Sequence, residues 1–402
     1  MKSNVAVTYQ VDDMQLAANE LADGIMNGFA LQKNSVGLLY CYSDIDLEDF
    51  VAHIMERFSF PVIGCTCIAS MDGKGGFHEM AATLMVLTAD DCDFSAVLTD
   101  DITRENVEDQ VERAFGQARQ GLPEEPKLIF ALPPYNLGVT LDIFTEAFNR
   151  IAPGVPVIGG VPSDNGDGDV NATIFGGNVY PNKMVLLCVS GNLKPVCTAK
   201  KVTGTSVERK RQVTEARENV VYRVGNQTFC EYMEDLGFDV ASLASGNNTV
   251  TFVANPVLLE NVESPDGENY SFVRTLHQLN PAEGSGAAVG FIPEGATLSI
   301  CTLERSDIEQ AAVLGMEELN SKIEKGEQDG YQYSTIVAVS CIGRYLLMLP
   351  QSSVEADRVI ASMKEGMSLA GFYSMGEIGP IPLKSGEVVT FAYNESLVLC
   401  AF

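Results

Sequence analysis

Apolar residues gather along this chain in short unbroken runs, and the runs recur in a fixed order. VGLLYCY (36–42) is followed by a helical pattern over 44–58 and then by PVIGCTCIAS (61–70). KLIFALP (127–133) is followed by a helical pattern over 139–151 and then by VPVIGGVPSDN (155–165). TIVAVSC (335–341) is followed by a helical pattern over 352–364 and then by SLAGFYSMGE (368–377). Runs of this kind, without polar alternation, predict strands covered on both faces, and the intervening helix makes each segment a β-α-β unit with two parallel strands. Each copy closes on a further run, AATLMVL (81–87), KMVLLCV (183–189) or SLVLCAF (396–402), which predicts an added antiparallel strand. Gly159 to Leu186 and Gly371 to Val398 are both 27 residues, a spacing that marks the second and third copies as repeats of one plan.

The remaining pattern is less regular. A strand (4–9) and a helix (13–30) precede the first unit. Residues 103–118 place Val107, Val111, Ala114, Phe115 and Ala118 on one helical face, and 305–325 do the same with Ile308, Ala312, Met316, Leu319 and Ile323. Ser306 and Glu309 have capping-box spacing at the start of the latter. Residues 193–304 are broken by GNLKP, RVGNQ, SGNNT, NPVL and SPDGEN and predict a mostly β insert. The fold class is therefore α/β: repeated β-α-β units in mixed sheets, helices packed on the sheets, and a β-rich insert in the C-terminal half. A boundary near 192 divides it into domains 1–192 and 193–402. Read by repeats instead, the last unit carries a large β-rich preface.

Charge narrows the partners. With 26 Lys+Arg against 54 Asp+Glu, the net charge of −28 sets the chain against nucleic acid and anionic membranes, while 46% hydrophobic residues are ample for a core. No stretch reaches eighteen apolar residues, and the start MKSNVAVTYQVDD lacks a signal-peptide pattern. The ten cysteines include no C-x-x-C, and Cys41, Cys188, Cys341 and Cys400 sit inside apolar runs as small hydrophobes. The expectation is a reduced cytoplasmic protein.

Several phrases are distinctive: PVIGCT, NLKPV, NVVYRVGNQT with EYMEDLG, FIPEGATLSI, VSCIGRYLL and GFYSMGEIGP. Together they resemble the FIST proteins, which combine a FIST-N and a FIST-C domain, here over essentially the whole chain. The resemblance implies a bacterial-type sensory module for a small ligand, with amino acids as one proposed class. It also implies a separate signalling output protein as partner. No cofactor is predicted; because some members bind haem and sense nitric oxide, a haem-binding nitric oxide sensor is the alternative the resemblance puts forward. The loop CTCIASMDGKGG lacks the Ala-Gly-Glu phrase usual in FIST-N, so a contact made through that Glu is not expected here.

Ligands of parallel α/β sheets sit beyond the carboxyl ends of strands. That rule nominates Cys65-Thr66-Cys67, Ser163-Asp164-Asn165, Tyr373-Ser374-Met375-Gly376-Glu377 and Ser340-Cys341-Ile342-Gly343-Arg344. Arg344 would fork a carboxylate and Glu377 accept an ammonium, which suits an amino acid or other zwitterion; the alternative is a structural Arg–Glu pair tying adjacent strands. Cys341, with its pKa lowered by Arg344, would be a reactive thiol, and an enzyme using Cys341 or Glu377 is the competing function class. Against it, no G-x-S-x-G elbow occurs and the three histidines form no evident triad. A haem would draw its axial ligand from His53 on the first unit's helix, His78 near the pocket mouth, His277 in the insert, or a Cys or Tyr. Cys65 and Cys67 alone make a poor zinc site. In DNGDGDVN (164–171), Asp167, Asp169 and Asn171 alternate without the Gly and Glu a calcium loop requires. GSGAAVG (284–290) is one residue too long for a dinucleotide fingerprint, and GKGGF (73–77) reads as a loop tip.

Overall fold

A computed structural model describes all residues except 137, 166–169, 203, 207–208, 247, 264–266, 268 and 384–385. The Asp167 and Asp169 positions and most of the SPDGEN turn thus lie outside the described residues.

The first unit comprises β1 (Lys2–Thr8), α1 (Met14–Met26), β2 (Asn34–Cys41), α2 (Leu47–Arg57), β3 (Val62–Thr66), the hairpin β4 (Ala69–Asp72) and β5 (Gly76–Glu79), and β6 (Ala82–Ala89). The second repeats that order with β7 (Cys92–Leu98), α3 (Val107–Gln120), β8 (Leu128–Leu132), α4 (Leu141–Ile151), β9 (Val157–Gly160), the hairpin β10 (Thr173–Phe175) and β11 (Asn178–Tyr180), and β12 (Val185–Gly191). The third opens on β13 (Val196–Lys201) and is then interrupted by the insert. Its strands are β14 (Thr205–Ser206), β15 (Arg211–Arg217), β16 (Val220–Val224), β17 (Gln227–Thr228), β18 (Val257–Glu263), β19 (Asn269–Arg274), β20 (Leu276–Asn280), β21 (Ser285–Ala288) and β22 (Thr297–Thr302). Three short helices the sequence pattern did not announce, α5 (Phe229–Asp235), α6 (Val240–Ser245) and α7 (Thr249–Ala254), lie among them. The third unit resumes with α8 (Arg305–Gln328), β23 (Thr335–Cys341), α9 (Ile342–Met348), α10 (Val354–Ala361), β24 (Ser368–Ser374), the hairpin β25 (Glu377–Pro382) and β26 (Val388–Tyr393), and β27 (Ser396–Ala401).

The three units build three equivalent six-stranded sheets, and the α/β class with repeated β-α-β units and mixed sheets holds. In each, the opening strand pairs with the closing strand, which pairs antiparallel with the first strand of the β-α-β pair, which pairs parallel with the second. The fifth and sixth places are filled from elsewhere. Each unit passes its hairpin to a neighbour: β4–β5 adds to β24, β25–β26 adds to β9, and β10–β11 adds to β3. The exchange closes a ring of three.

Alternation of side chains explains the apolar runs. Leu38 and Tyr40, Phe130 and Leu132, and Val337 and Val339 point inward to one shared core, while Leu39, Ala131 and Ala338 point outward under helices. The nominated glycines have a steric cause. A Cβ on Gly64 or Gly159 would stand 1.8 Å from the carbonyl oxygen of Leu39 or Ala131 on the parallel neighbour, so nothing larger fits. Gly371 registers through Ala338 with Leu399, one residue beyond the Val398 that equal spacing suggested.

Two local expectations are corrected. Glu304 and Asp307, not Ser306 and Glu309, form the capping box of α8. The segment after β23 is a helix from Ile342 onward, so Arg344 stands in the first turn of α9 rather than in a loop. The helical faces of α3 and α8 are buried as expected.

Candidate functional site

The carboxyl ends of β3, β9 and β24 meet. Ser163 is the joint: its N–H donates to the Thr66 carbonyl (3.1 Å), its Oγ accepts from Ile68 N (3.1 Å), and its hydroxyl donates to the Tyr373 carbonyl (2.5 Å). Val161 N donates to Gly376 O and Met375 N to Val161 O, at 3.0 and 3.1 Å. The three nominated loops are therefore brought together, but as packed interior. Cys65, Cys67, Thr66, Ser163, Asp164, Tyr373, Ser374, Glu377, Ser340, Cys341 and Arg344 are all buried, and Asn165 is half-buried.

Arg344 and Glu377 do not pair. The Arg344 guanidinium lies on Glu355 of α10, Nε at 2.7 Å and Nη2 closer, and Ser340 Oγ donates to the other oxygen of the same carboxylate at 2.6 Å. Arg344 and Glu355 are both 0% exposed, so this is an internal strut between strand end and helix. Glu377 instead accepts from Ser396 N and Oγ (3.2 and 2.9 Å) and from Ser374 Oγ (3.1 Å). Burial, with Glu395 nearby, pushes its carboxyl up to about 8. Glu395 accepts from Thr275 Oγ1 (2.9 Å), and burial pushes it up to about 7. Cys341 is corrected likewise: burial and then Glu377 and Glu395 hold its thiol well above the usual range, so Arg344 does not activate it.

A half-enclosed cleft with about 60 Å³ of free space lies beside this interior, where the second unit, the third unit and the insert meet. Its wall from the second unit runs Pro133-Pro134-Tyr135-Asn136 after β8, then Val139 to Asp142 at the start of α4. Met375, Gly376 and Ala392 to Asn394 come from the third unit; Asn219, His277 and Ala288 to Gly290 come from the insert. Pro133-Pro134 keeps the chain extended after β8, because a proline disfavours helix at the residue before it. Helix α4 then begins with an open end: Thr140 is the N-cap residue, its side chain makes no cap bond, and its Oγ1 is buried with no partner.

Asp142 and Arg274 bind the floor together. Arg274, 1% exposed, donates Nη2 to Asp142 Oδ1 (2.8 Å), Nη1 to Ala392 O (3.0 Å) and Nε to Phe291 O (3.2 Å), and stacks on Phe272. Asp142 Oδ2 accepts from Phe291 N (3.0 Å). Gly290 has φ +117°, and a Cβ there would strike Arg274 Nε and Asp142 Oδ2, so only glycine passes. The pair neutralises itself, and the described lining residues include no Lys or Arg.

The histidines separate clearly. His53 lies on α2 beside Asp49 and Glu56. His78 is buried, not at a pocket mouth, with Nε2 on Asp72 (2.9 Å) and Nδ1 against Tyr9 OH (2.5 Å). His277 lines the cleft, its pKa lowered by desolvation. Haem fits poorly there, because a porphyrin needs far more room than this cleft holds. Sequence reasoning found Met375 and Gly376 but missed Tyr135, Asn136, Thr140, Asp142, Asn219 and Asn394; Pro133-Pro134 shortly ahead of a helical pattern was the one legible signal.

Among the described residues, no helix is long and apolar enough to cross a membrane. Comparison with curated proteins gives no match. Among solved structures, a cyanuric acid hydrolase is similar at 10% identity over 75% of this chain and 99% of that one, with a TM-score of 0.27, too loose to bear on chemistry. The FIST N domain matches residues 35–227 and the FIST C domain residues 229–380. Matched over nearly its whole length, the chain belongs to the FIST family of signal-transduction sensory domains.

Proposed function

We propose that this chain is a cytoplasmic sensor whose small ligand seats in the cleft between the second unit, the third unit and the insert. The ligand is a small carboxylate or zwitterion of the amino-acid class. The observation that carries this is the open first turn of α4, with the Thr140 hydroxyl buried, unpartnered and lining the cleft. A helix N-terminus favours an anion through its unsatisfied N–H groups and dipole. The apolar wall of Pro133, Pro134, Val139 and Phe144 suits a short side chain, and Tyr135, Asn219, His277 and Asn394 offer neutral hydrogen-bonding groups to the rest.

Binding there touches three parts of the molecule at once, so a ligand that prefers their closed arrangement shifts the position of the insert. That shift is the signal handed to a separate output protein. An enzyme working through Cys341 or Glu377 is less well supported, because both are buried behind the cleft.

The test is a thermal-shift panel of amino acids, small carboxylates and haem, followed by calorimetry on any hit. Gly376→Val is the blocking variant: a Cβ there stands 3.4 Å from Leu141 Cδ2, 3.8 Å from Tyr393 O and 4.0 Å from Asn394 Nδ2, ordinary contacts, so the side chain enters the cleft with little strain. We expect a carboxylate ligand to raise Tm and bind, Gly376→Val to weaken it by about tenfold or more, and haem to give no Soret shift. Unchanged affinity in Gly376→Val would place the ligand elsewhere.

A further inference from the structure

A second chemically competent place lies on the far edge of the third sheet. Cys197 of β13 and Cys400 of β27 stand directly opposite each other across an antiparallel pair. Their sulfurs are 3.0 Å apart. Opposed residues in such a ladder have Cα atoms about 4.5–5.5 Å apart, inside the roughly 4.4–6.8 Å that a disulfide spans. Both are free thiols.

Access is unequal. β13 is the outermost strand of its sheet. Among the described residues, Cys197 is the one cysteine that is not buried, and it lines a surface groove with Pro195, Lys127, Lys322 and Pro380. Lys322 Nζ donates to the Cys197 carbonyl at 2.7 Å, and Lys127 Nζ to the Gly191 carbonyl at 2.6 Å. Lys322 is also paired with Glu318 at 2.8 Å, so the groove gains positive charge mainly through Lys127. Cys400 is buried, and desolvation together with Cys197 holds its thiol well above the usual range.

We propose that Cys197 and Cys400 form a reversible redox pair, oxidised to a cross-strand disulfide by a small anionic disulfide of the glutathione class. Cys197 gives its proton to solvent and its thiolate attacks one sulfur of the incoming disulfide. That S–S bond breaks, and one small thiolate leaves and takes up a proton. The mixed disulfide on Cys197 is then attacked by the Cys400 sulfur, which loses its own proton to solvent, and the second small thiolate departs. Two protein thiols are oxidised and one disulfide is reduced to two thiols. The order follows from access: Cys197 is attacked first, and Cys400 resolves. The new bond joins the strand that leads into the insert to the last strand of the chain.

The experiment incubates the full chain with oxidised and reduced glutathione at graded ratios, followed by thiol-blocked, non-reducing peptide mapping. Expected are a linked Cys197–Cys400 peptide that reduction reverses, and no adduct at this pair in Cys197→Ser. Cys400→Ala should trap the mixed disulfide on Cys197, about tenfold above any other cysteine. Absence of the linked peptide in the wild type at every ratio, or a glutathione adduct that persists on wild-type Cys197, overturns the proposal. The wild-type map stands on its own if a variant folds poorly.

Discussion

The strands β8 and β23 hold equivalent places in the second and third units, yet their carboxyl ends differ. After β8 the chain runs extended through Pro133-Pro134 and reaches α4 only at Leu141, which leaves the cleft. After β23 it turns at once into α9, and Arg344 fills the equivalent room with an ion pair to Glu355. One scaffold thus gives a ligand site where the chain stays open and a solid strut where a charged pair occupies the space. Arg344 in the first turn of α9, the residue most suggestive of anion recognition, marks the filled position here.

The largest effect should come from breaking the strut. Arg344→Met leaves Glu355 buried without its cation, which costs about 3–5 kcal/mol by comparison with other buried pairs. Urea denaturation measures this, and Arg344→Met/Glu355→Leu should recover much of the loss. Ligand affinity of the folded Arg344→Met chain should be near wild type. A variant of nearly normal stability that no longer binds would reverse the comparison and make Arg344 the recognition group.

The next effect concerns the carboxyls behind the cleft. Glu377 and Glu395 have folded-state pKa values pushed up to about 8 and about 7, above those of an unfolded glutamate. The folded state therefore binds more protons over that range. Its stability contribution is fully present below about pH 4.3 and is lost as pH rises through 7 and 8, a change on the order of 3–5 kcal/mol for each group. Glu395→Gln mimics the protonated acid and keeps an acceptor for Thr275. It should match wild type near pH 4 and exceed it in denaturation midpoint near pH 8.5. Parallel curves for the two chains would mean that Glu395 is ionised throughout.

The repeats were legible because strands buried on both faces must be apolar along their length, and VGLLYCY, KLIFALP and TIVAVSC are. Gly64, Gly159 and Gly371 were visible for the same reason, each fixed by a carbonyl on the neighbouring strand. The exchange of hairpins was not. Nothing local in β4, β10 or β25 says which sheet edge it will join, since pairing choice depends on the closed ring of three. Nor was the Arg344–Glu355 pair: Glu355 falls in the first turn of α10, where acidic residues usually face water. Asp142 and Arg274 are separated by 132 positions and the onset of the insert, so no spacing connects them.

The smallest change tests the open side of the comparison most directly. Thr140→Val keeps the shape of the N-cap side chain and removes only its hydroxyl. Because that Oγ1 has no partner in the protein, stability should change by less than about 0.5 kcal/mol, or rise slightly as an unsatisfied polar atom is removed. If the hydroxyl meets the ligand, affinity should fall by about tenfold, near 1.4 kcal/mol. The separation of the two readouts is what matters. In Arg344→Met stability falls while binding holds, and in Thr140→Val binding falls while stability holds. A Thr140→Val chain that loses stability without losing affinity would show the hydroxyl to be a cap of α4, and the cleft would then lack its anion-directed end.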